Sequence, residues 1–502
     1  MTFDRQRMKL LTSAFAILTL VCPAGAQQTP AEKAQLAKQL MASGRAGEAV
    51  PIYRELLRAM PDNPGLALNL GLALDMSGDK RAAIREYQAV LKLDPQSFPA
   101  RLLMGTAYLD LGQPAEAIGP LEESVKLQQG NQDAQATLAD AELALERFGT
   151  AAARFEKLSQ QDPSSPRVWY GLGACYEGLG QKSFDDLAAV ASNSAYWLYL
   201  VAESRSANDQ SYSAFYFYKQ ALAAMPSLRG VHSAIAGIYK QTDHADWAAV
   251  EEQKEKQLPP PDCASEKLEC DFEAGNFLGV AGQPGKDPKT LYWRTRAYNQ
   301  LALSAYERLG RLPPSPETYE LRARLESKRR QYAQAAKDWR QALQLVPGNP
   351  AFRRGLAMAL AQSGDLQEAE KLFRDLLEQY PASASLDYLL GDVLRNSQKP
   401  QEAIAYLQKA VAADPKLLTA QSALGLAYLQ AGQAANAIPH LRAALPIDED
   451  GTLHYQLGRA YQAHGDRELA REMLKTYQEM QSKDQESKKE VEKNVAITPP
   501  SQ

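Results

Sequence analysis

Reactive side chains are scarce in this chain. It holds four cysteines and five histidines among 502 residues, and the histidines (His232, His244, His440, His454 and His464) are widely spread. There is no His-Glu-x-x-His, no pair of Cys-x-x-Cys motifs and no Gly-x-Ser-x-Gly elbow, so the usual signatures of zinc and serine hydrolases are missing. Gly282 to Asp287 has the outline of a phosphate loop, but Asp287 stands where a Ser or Thr must hold magnesium, and Val280 replaces the earlier glycine. No catalytic, cofactor-binding or metal-binding residue can be nominated, and no small-molecule substrate is expected. The chain also lacks an excess of one charge. Its 56 basic and 60 acidic residues argue against a nucleic-acid partner, since phosphate neutralisation needs a clustered basic excess. Beyond the N-terminus no apolar run is long enough to form a membrane-crossing helix.

What is present begins with an address. Arg5, Arg7 and Lys9 precede an apolar stretch from Leu10 to Val21, and Ala24-Gly25-Ala26 follows. A positive start, a short apolar run and small residues at alternate positions form a secretory signal, residues 1–26, cleaved after Ala26. It resembles a bacterial signal, which predicts an exported protein, periplasmic or extracellular; an uncleaved signal would instead make it a membrane anchor. Lipid attachment at Cys22 is disfavoured by Val21, where a small residue is expected. Cleavage leaves Cys175, Cys263 and Cys270. In an oxidising compartment Cys263 and Cys270, close together in a Pro-rich segment, are expected to pair. Cys175, beside Tyr176, reads as a small buried hydrophobe.

The dominant pattern is a period. Pro61 and Pro95 are separated by a step of 34, Pro163 lies two such steps further on, and Pro347, Pro381 and Pro415 repeat the step. Between the prolines other residues keep register: Gly71, Ala83 and Tyr87; Gly105, Tyr108, Ala117 and Leu121; Trp169, Leu172, Gly173 and Tyr176; Gly391, Ala403 and Leu407; Gly425, Tyr428, Ala437 and Leu441. A fixed period in this range marks one supersecondary unit copied and stacked. These residues closely resemble the tetratricopeptide repeat, whose signature is Trp, Leu-Gly and Tyr on a first helix and Ala and Phe on a second. The resemblance implies an all-α, right-handed solenoid of helical hairpins, about eleven repeats in two arrays. Small residues allow the two helices of a hairpin to approach, and the proline stops the second helix because it has no amide proton and clashes with the preceding turn.

The N-terminal array is expected over 30–262, with register lost after Gly180 and looser repeats to Pro260. Residues 263–315 read as an irregular Cys-, Pro- and Gly-containing segment with one helix, Leu291 to Leu309, a degenerate repeat whose inter-helix turn has been lost. The C-terminal array covers 316–484. Residues 485–502, alternating Glu and Lys before Pro499-Pro500, are expected to fray into disorder.

The resemblance also implies where partners bind, because fixed positions of each first helix line the concave face. Those positions hold Leu68, Leu72, Asp75, Leu102, Thr106 and Leu109 early in the chain, then Tyr170 and Glu177. Later they hold Arg354 and Met358, then Tyr388, Asp392 and Arg395, then Tyr455 and Arg459. Tyr and Arg dominate binding hot spots, which nominates Tyr170, Arg354, Tyr388, Asp392, Arg395, Tyr455 and Arg459 as partner contacts, with packing between repeats as the competing role for each tyrosine. The Lys and Asn clamp by which some family members hold a chaperone C-terminus is absent. The expectation is a non-enzymatic scaffold that binds proteins or peptides in its grooves, in envelope assembly or maintenance. A repeat-bearing targeting subunit of an envelope enzyme, such as a glycosyl-transferring complex, is the alternative, and self-association through unfilled repeat faces stays open.

Overall fold

The computed structural model describes residues 29–381 and 383–500, and the expected signal at 1–26 lies outside them. Among the described residues there is no strand. The chain forms two compact units, one ending at Ala100 and the other beginning at Arg101.

The first unit holds α1 (Pro30–Ala42), α2 (Ala46–Ala59), α3 (Pro64–Met76), α4 (Lys80–Leu93) and the start of α5 (Phe98–Asp110). Each hairpin is punctuated by chemistry that the sequence announces. Asn63 accepts a capping bond from the Leu66 amide at 3.0 Å with Pro64 as first helical residue, which satisfies one orphan amide and pre-sets φ. Pro61 and Pro95 each follow closely on the end of a second helix. Buried Ala67, Val90 and Ala100 form one cluster of its core, flanked by Leu57, Leu68 and Leu91, and Tyr53, Leu70, Ala83 and Tyr87 are buried as well.

The second unit continues with α6 (Pro114–Leu127), α7 (Gln132–Ala144), α8 (Phe148–Gln161) and α9 (Pro166–Ala191). Next come α10 (Ala195–Ala207), α11 (Ser211–Ala224), α12 (Val231–Gln241), α13 (Ala245–Gln257), the short α14 (Lys267–Glu273) and α15 (Phe277–Ala281), and α16 (Pro288–Gly310). Then follow α17 (Pro316–Lys328), α18 (Tyr332–Leu345), α19 (Pro350–Ser363), α20 (Leu366–Gln379), α21 (Ala384–Asn396) and α22 (Pro400–Ala413). Last are α23 (Leu418–Gln430), α24 (Ala434–Ala444), α25 (Thr452–His464) and α26 (Arg467–Val495).

The backbone itself carries the period. Gly44, Gly78, Gly112 and Glu146 have positive φ in successive hairpin turns, as do Arg330, Gly364, Gln398 and Gly432 later, always at the step set by the prolines. The next member of the first series would be Gly180, but there the helix runs on and α9 reaches 26 residues. Its hairpin partner comes much later. At the same register as Gly173, first-helix glycines elsewhere meet a side chain on the second helix of their own hairpin: Gly71 meets Tyr87, Gly105 meets Leu121, Gly391 meets Leu407 and Gly425 meets Leu441. Gly173 instead meets Tyr306, far along the chain.

Helices α9 and α16 therefore form one repeat whose turn has been opened to admit α10–α15. The sequence reading places 195–262 inside the first array and a joint at 263–315. In the structure residues 195–281 are an insert, and the single helix of the joint is the missing second helix. Two cores meet along α16. Leu291, Tyr292, Trp293 and Ala297 belong to the insert with Tyr199, Phe215, Tyr218 and Tyr239. Ala302 and Ala305 belong to the repeat stack with Phe155, Leu172 and Tyr176. The stack resumes beyond α16, because α17 packs on α9.

Cys263 and Cys270 are bonded, with Cα atoms 5.7 Å apart. Closing so short a loop removes unfolded-state entropy worth about 2 kcal/mol. Reduction, or a Cys263→Ser/Cys270→Ser double change, is expected to lower the stability of the α14 region by that amount. Hydrogen exchange at α14 and α15 checks this, and α18–α24 should be unaffected. The C-terminus differs from the expectation of a frayed tail. Helix α26 runs to Val495, and Ile497 packs against the insert core.

Candidate functional site

The first helices of the later repeats, α19, α21, α23 and α25, present the same register position at a step of 34, shortened by one at α25. On α19, Arg354 is exposed and Met358 is 46% exposed. On α21, Tyr388 is half-buried; burial, then the nearby Asp392, pushes its phenol up, and the ring packs on the core of these repeats. Arg395 pairs with Asp392 at 2.7 Å, and Asn396 donates to the other Asp392 oxygen at 3.2 Å. That pair fixes the Arg395 guanidinium on the helix surface. On α25, Tyr455 is 39% exposed with one side of its ring against Tyr477 of α26, centroids 5.3 Å apart. Arg459 is exposed, and its guanidinium donates to Gln456 at 3.4 Å.

Two apolar residues complete the row. Leu426 and Leu429 of α23 occupy the register of Asp392 and Arg395 one repeat later, and both are half-buried. Counting one repeat on from Asp392 and Arg395 finds them in the sequence. The row thus alternates exposed guanidinium groups with apolar floor, an arrangement suited to a segment carrying carboxylates and aliphatic side chains.

Tyr170 sits elsewhere. Its hydroxyl accepts from Arg324 of α17 at 2.9 Å, and the Arg324 guanidinium lies 5.9 Å from its ring. Nearby Glu177 binds Lys328 at 2.6 Å and accepts from Tyr306 at 3.1 Å. Tyr170 is thus part of the seam that rejoins the stack after the insert. Its partner lies so far along the chain that the sequence around Tyr170 gives no local signal of it.

Other chemistry can be placed. Burial, then the charges of Asp140, Glu142 and Glu156, pushes the Cys175 thiol up to about 12, so it stays protonated and inert. Among the described residues no group of His, Cys, Asp and Glu could hold a metal, and no helix is long and apolar enough to cross a membrane.

Models described as tetratricopeptide repeat match residues 35–97, 136–186 and 388–452, and 76–141 and 328–393. Together they span 35–186 and 328–452, more than half of the chain. The chain belongs to the tetratricopeptide repeat family. The cell division cycle protein 16 homolog of Homo sapiens is 30% identical over 121 residues, 22% of this chain and 20% of that protein, and the Mus musculus homolog matches equally. The chain thus spans about one fifth of the length of the curated relatives it matches. Among solved structures, MamA from Desulfovibrio magneticus RS-1 is 25% identical, covering 34% of this chain and 96% of its own with a TM-score of 0.31. YrrB, titled a TPR protein with an unusual peptide-binding site, is 25% identical, covering 33% and 85% with a TM-score of 0.29. A tetratricopeptide repeat chain of this kind is a protein–protein interaction scaffold, since its stacked first helices expose a long surface.

Proposed function

We propose that this tetratricopeptide repeat protein is a non-enzymatic scaffold of a bacterial envelope, holding acidic-aliphatic segments of partner proteins along α19–α25. The observation that carries the reading is the register row itself. Arg354 and Arg459 offer exposed guanidinium groups, and Tyr388 and Tyr455 offer partly exposed rings. Met358, Leu426 and Leu429 supply apolar surface between them. Export rests on the N-terminal pattern of Arg5, Arg7 and Lys9, the apolar run and Ala24-Gly25-Ala26.

Replacing Arg354, Tyr455 or Arg459 by Ala is expected to weaken partner binding by ~1–2 kcal/mol each, while stability changes by less than ~0.5 kcal/mol for the two exposed arginines and by about 1 kcal/mol for Tyr455, whose ring packs on Tyr477. Capture from envelope extracts with the native chain and with the triple variant, followed by calorimetry on the partner recovered, checks this. A triple variant that keeps the same partner at the same affinity would sink the groove. Turnover by the purified chain with no partner recovered would favour an enzyme instead.

A further inference from the structure

The residues that follow the last helix make contacts far from it in sequence. Helix α26 has 29 residues, about 43 Å at 1.5 Å per residue, and it leads from its hairpin partner α25 to pack across α11 of the insert. At Ala496 the backbone turns extended (φ −52°, ψ 123°). Pro499 then biases Thr498 towards extended geometry, and Pro500 does the same for Pro499. This short segment meets a prepared surface. Ile497 is half-buried against the core formed by α10–α13 and the insert half of α16. The Tyr239 hydroxyl donates to the Thr498 carbonyl at 2.5 Å.

Tyr239 is unlike a chance contact. Its side chain is 1% exposed, and its ring is held between Phe215 and Trp247, each 5.6 Å away by centroid. Burial, then the Glu251 charge, pushes the phenol up to about 12, so it is a hydrogen-bond donor at any physiological pH. A fixed donor that reads a main-chain carbonyl recognises backbone shape, and a neighbouring apolar seat selects one side chain. Prolines keep the free segment near the bound geometry, so little entropy is lost on docking.

We propose that the Tyr239 face of the insert is a recognition site for extended peptide segments of the type Ile-Thr-Pro-Pro, and that the chain's own C-terminus occupies it as an intramolecular competitor. This site is separate from the row on α19–α25 and does not rest on it. A partner carrying such a segment would have to displace the tail. Tethering by α26 gives the tail an effective concentration on the order of millimolar, so an outside segment of equal intrinsic affinity binds the intact chain much more weakly than a chain without the tail.

The probe is a fluorescent peptide of residues 496–502, titrated by anisotropy into the intact chain and into a chain ending at Val495. The shortened chain is expected to bind it at least tenfold more tightly than the intact chain. Tyr239→Phe in the shortened chain should weaken it severalfold, and a peptide with Ile497→Asp should fail to bind. The Arg354→Ala/Tyr455→Ala/Arg459→Ala triple change should leave peptide binding unaltered, which separates this site from the row. Circular dichroism confirms that each variant is folded. Equal binding by the two chains, or no binding by the shortened chain at millimolar peptide, would overturn the proposal. So would an intact chain that is dimeric and becomes monomeric on truncation, since the tail would then dock between copies.

Discussion

Gly173→Leu is expected to be among the most damaging single changes in the repeat stack, lowering stability by about 3 kcal/mol, the upper range for forcing new volume into a packed interior. A Cβ at residue 173 would lie 2.4 Å from the Tyr306 ring, with two more ring atoms within 2.8 Å. The ring cannot simply swing aside, because its hydroxyl is tied to Glu177, which also holds Lys328 of α17. Pushing Tyr306 out separates α9 from α16 and loosens the seam to α17 in the same stroke. The comparison is Gly149→Ala on α8, where nothing lies within 4 Å of the added carbon; there the gain in helix propensity should stabilise by up to about 1 kcal/mol. Thermal unfolding of both variants, with hydrogen exchange at α9 and α16, gives the readout. Adding Tyr306→Ala to Gly173→Leu should recover part of the loss, since the ring that meets the new side chain is gone. A Gly173→Leu chain as stable as the native one would mean that α16 is not the second helix of this repeat.

That pairing was recoverable from the sequence, but only after the expectation of contiguity is dropped. Ala302, Tyr306 and Pro314 have the spacing of Ala83, Tyr87 and Pro95, so the second half of the interrupted repeat is written in the chain in full. Reading the four-residue steps of Trp293, Ala297, Leu301 and Ala305 instead gives a helix without its partner. The period is a local signal, and an insertion removes the neighbour against which it is measured. Contacts that close the insert are less legible still. Nothing near Tyr170 points to Arg324, and nothing near Ile497 points to Tyr239, because pairings between such distant parts of the chain depend on how the insert packs. The row on α19–α25 lies at the other extreme. There the period is intact, so the placement of Arg354, Tyr455 and Arg459 on one face follows from register, although Tyr388 at the position of Arg354 is half-buried. Even there the Asp392–Arg395 pair shows that a register position gives the location of a side chain and not whether it is free.

Arg296→Ala should act on the insert and leave the repeats alone. The Arg296 guanidinium lies 4.8–5.5 Å from the ring centroids of Phe272, Trp293, Tyr199 and Tyr292. Those rings belong to α10, α14 and α16, so one cation joins three helices that no run of sequence connects. A desolvated cation over aromatic faces contributes about 2 kcal/mol or more, and removal of the long stem leaves a void among the rings. The expected loss is about 3 kcal/mol, by analogy with other large-to-small changes among packed side chains. Glu203 sits 4.0 Å from the guanidinium with its side chain 39% exposed, so water can solvate it once the cation is gone, and it adds little to the loss. Arg296→Lys should recover only part of the stability, because an ammonium cannot lie flat among several rings. In a solenoid each unit contacts only its neighbours, so amides of α10–α14 should exchange faster while those of α18–α24 keep their native protection. Uniform acceleration along the whole chain would show that the insert is an integral part of one cooperative unit and not a body carried on the stem of α9 and α16.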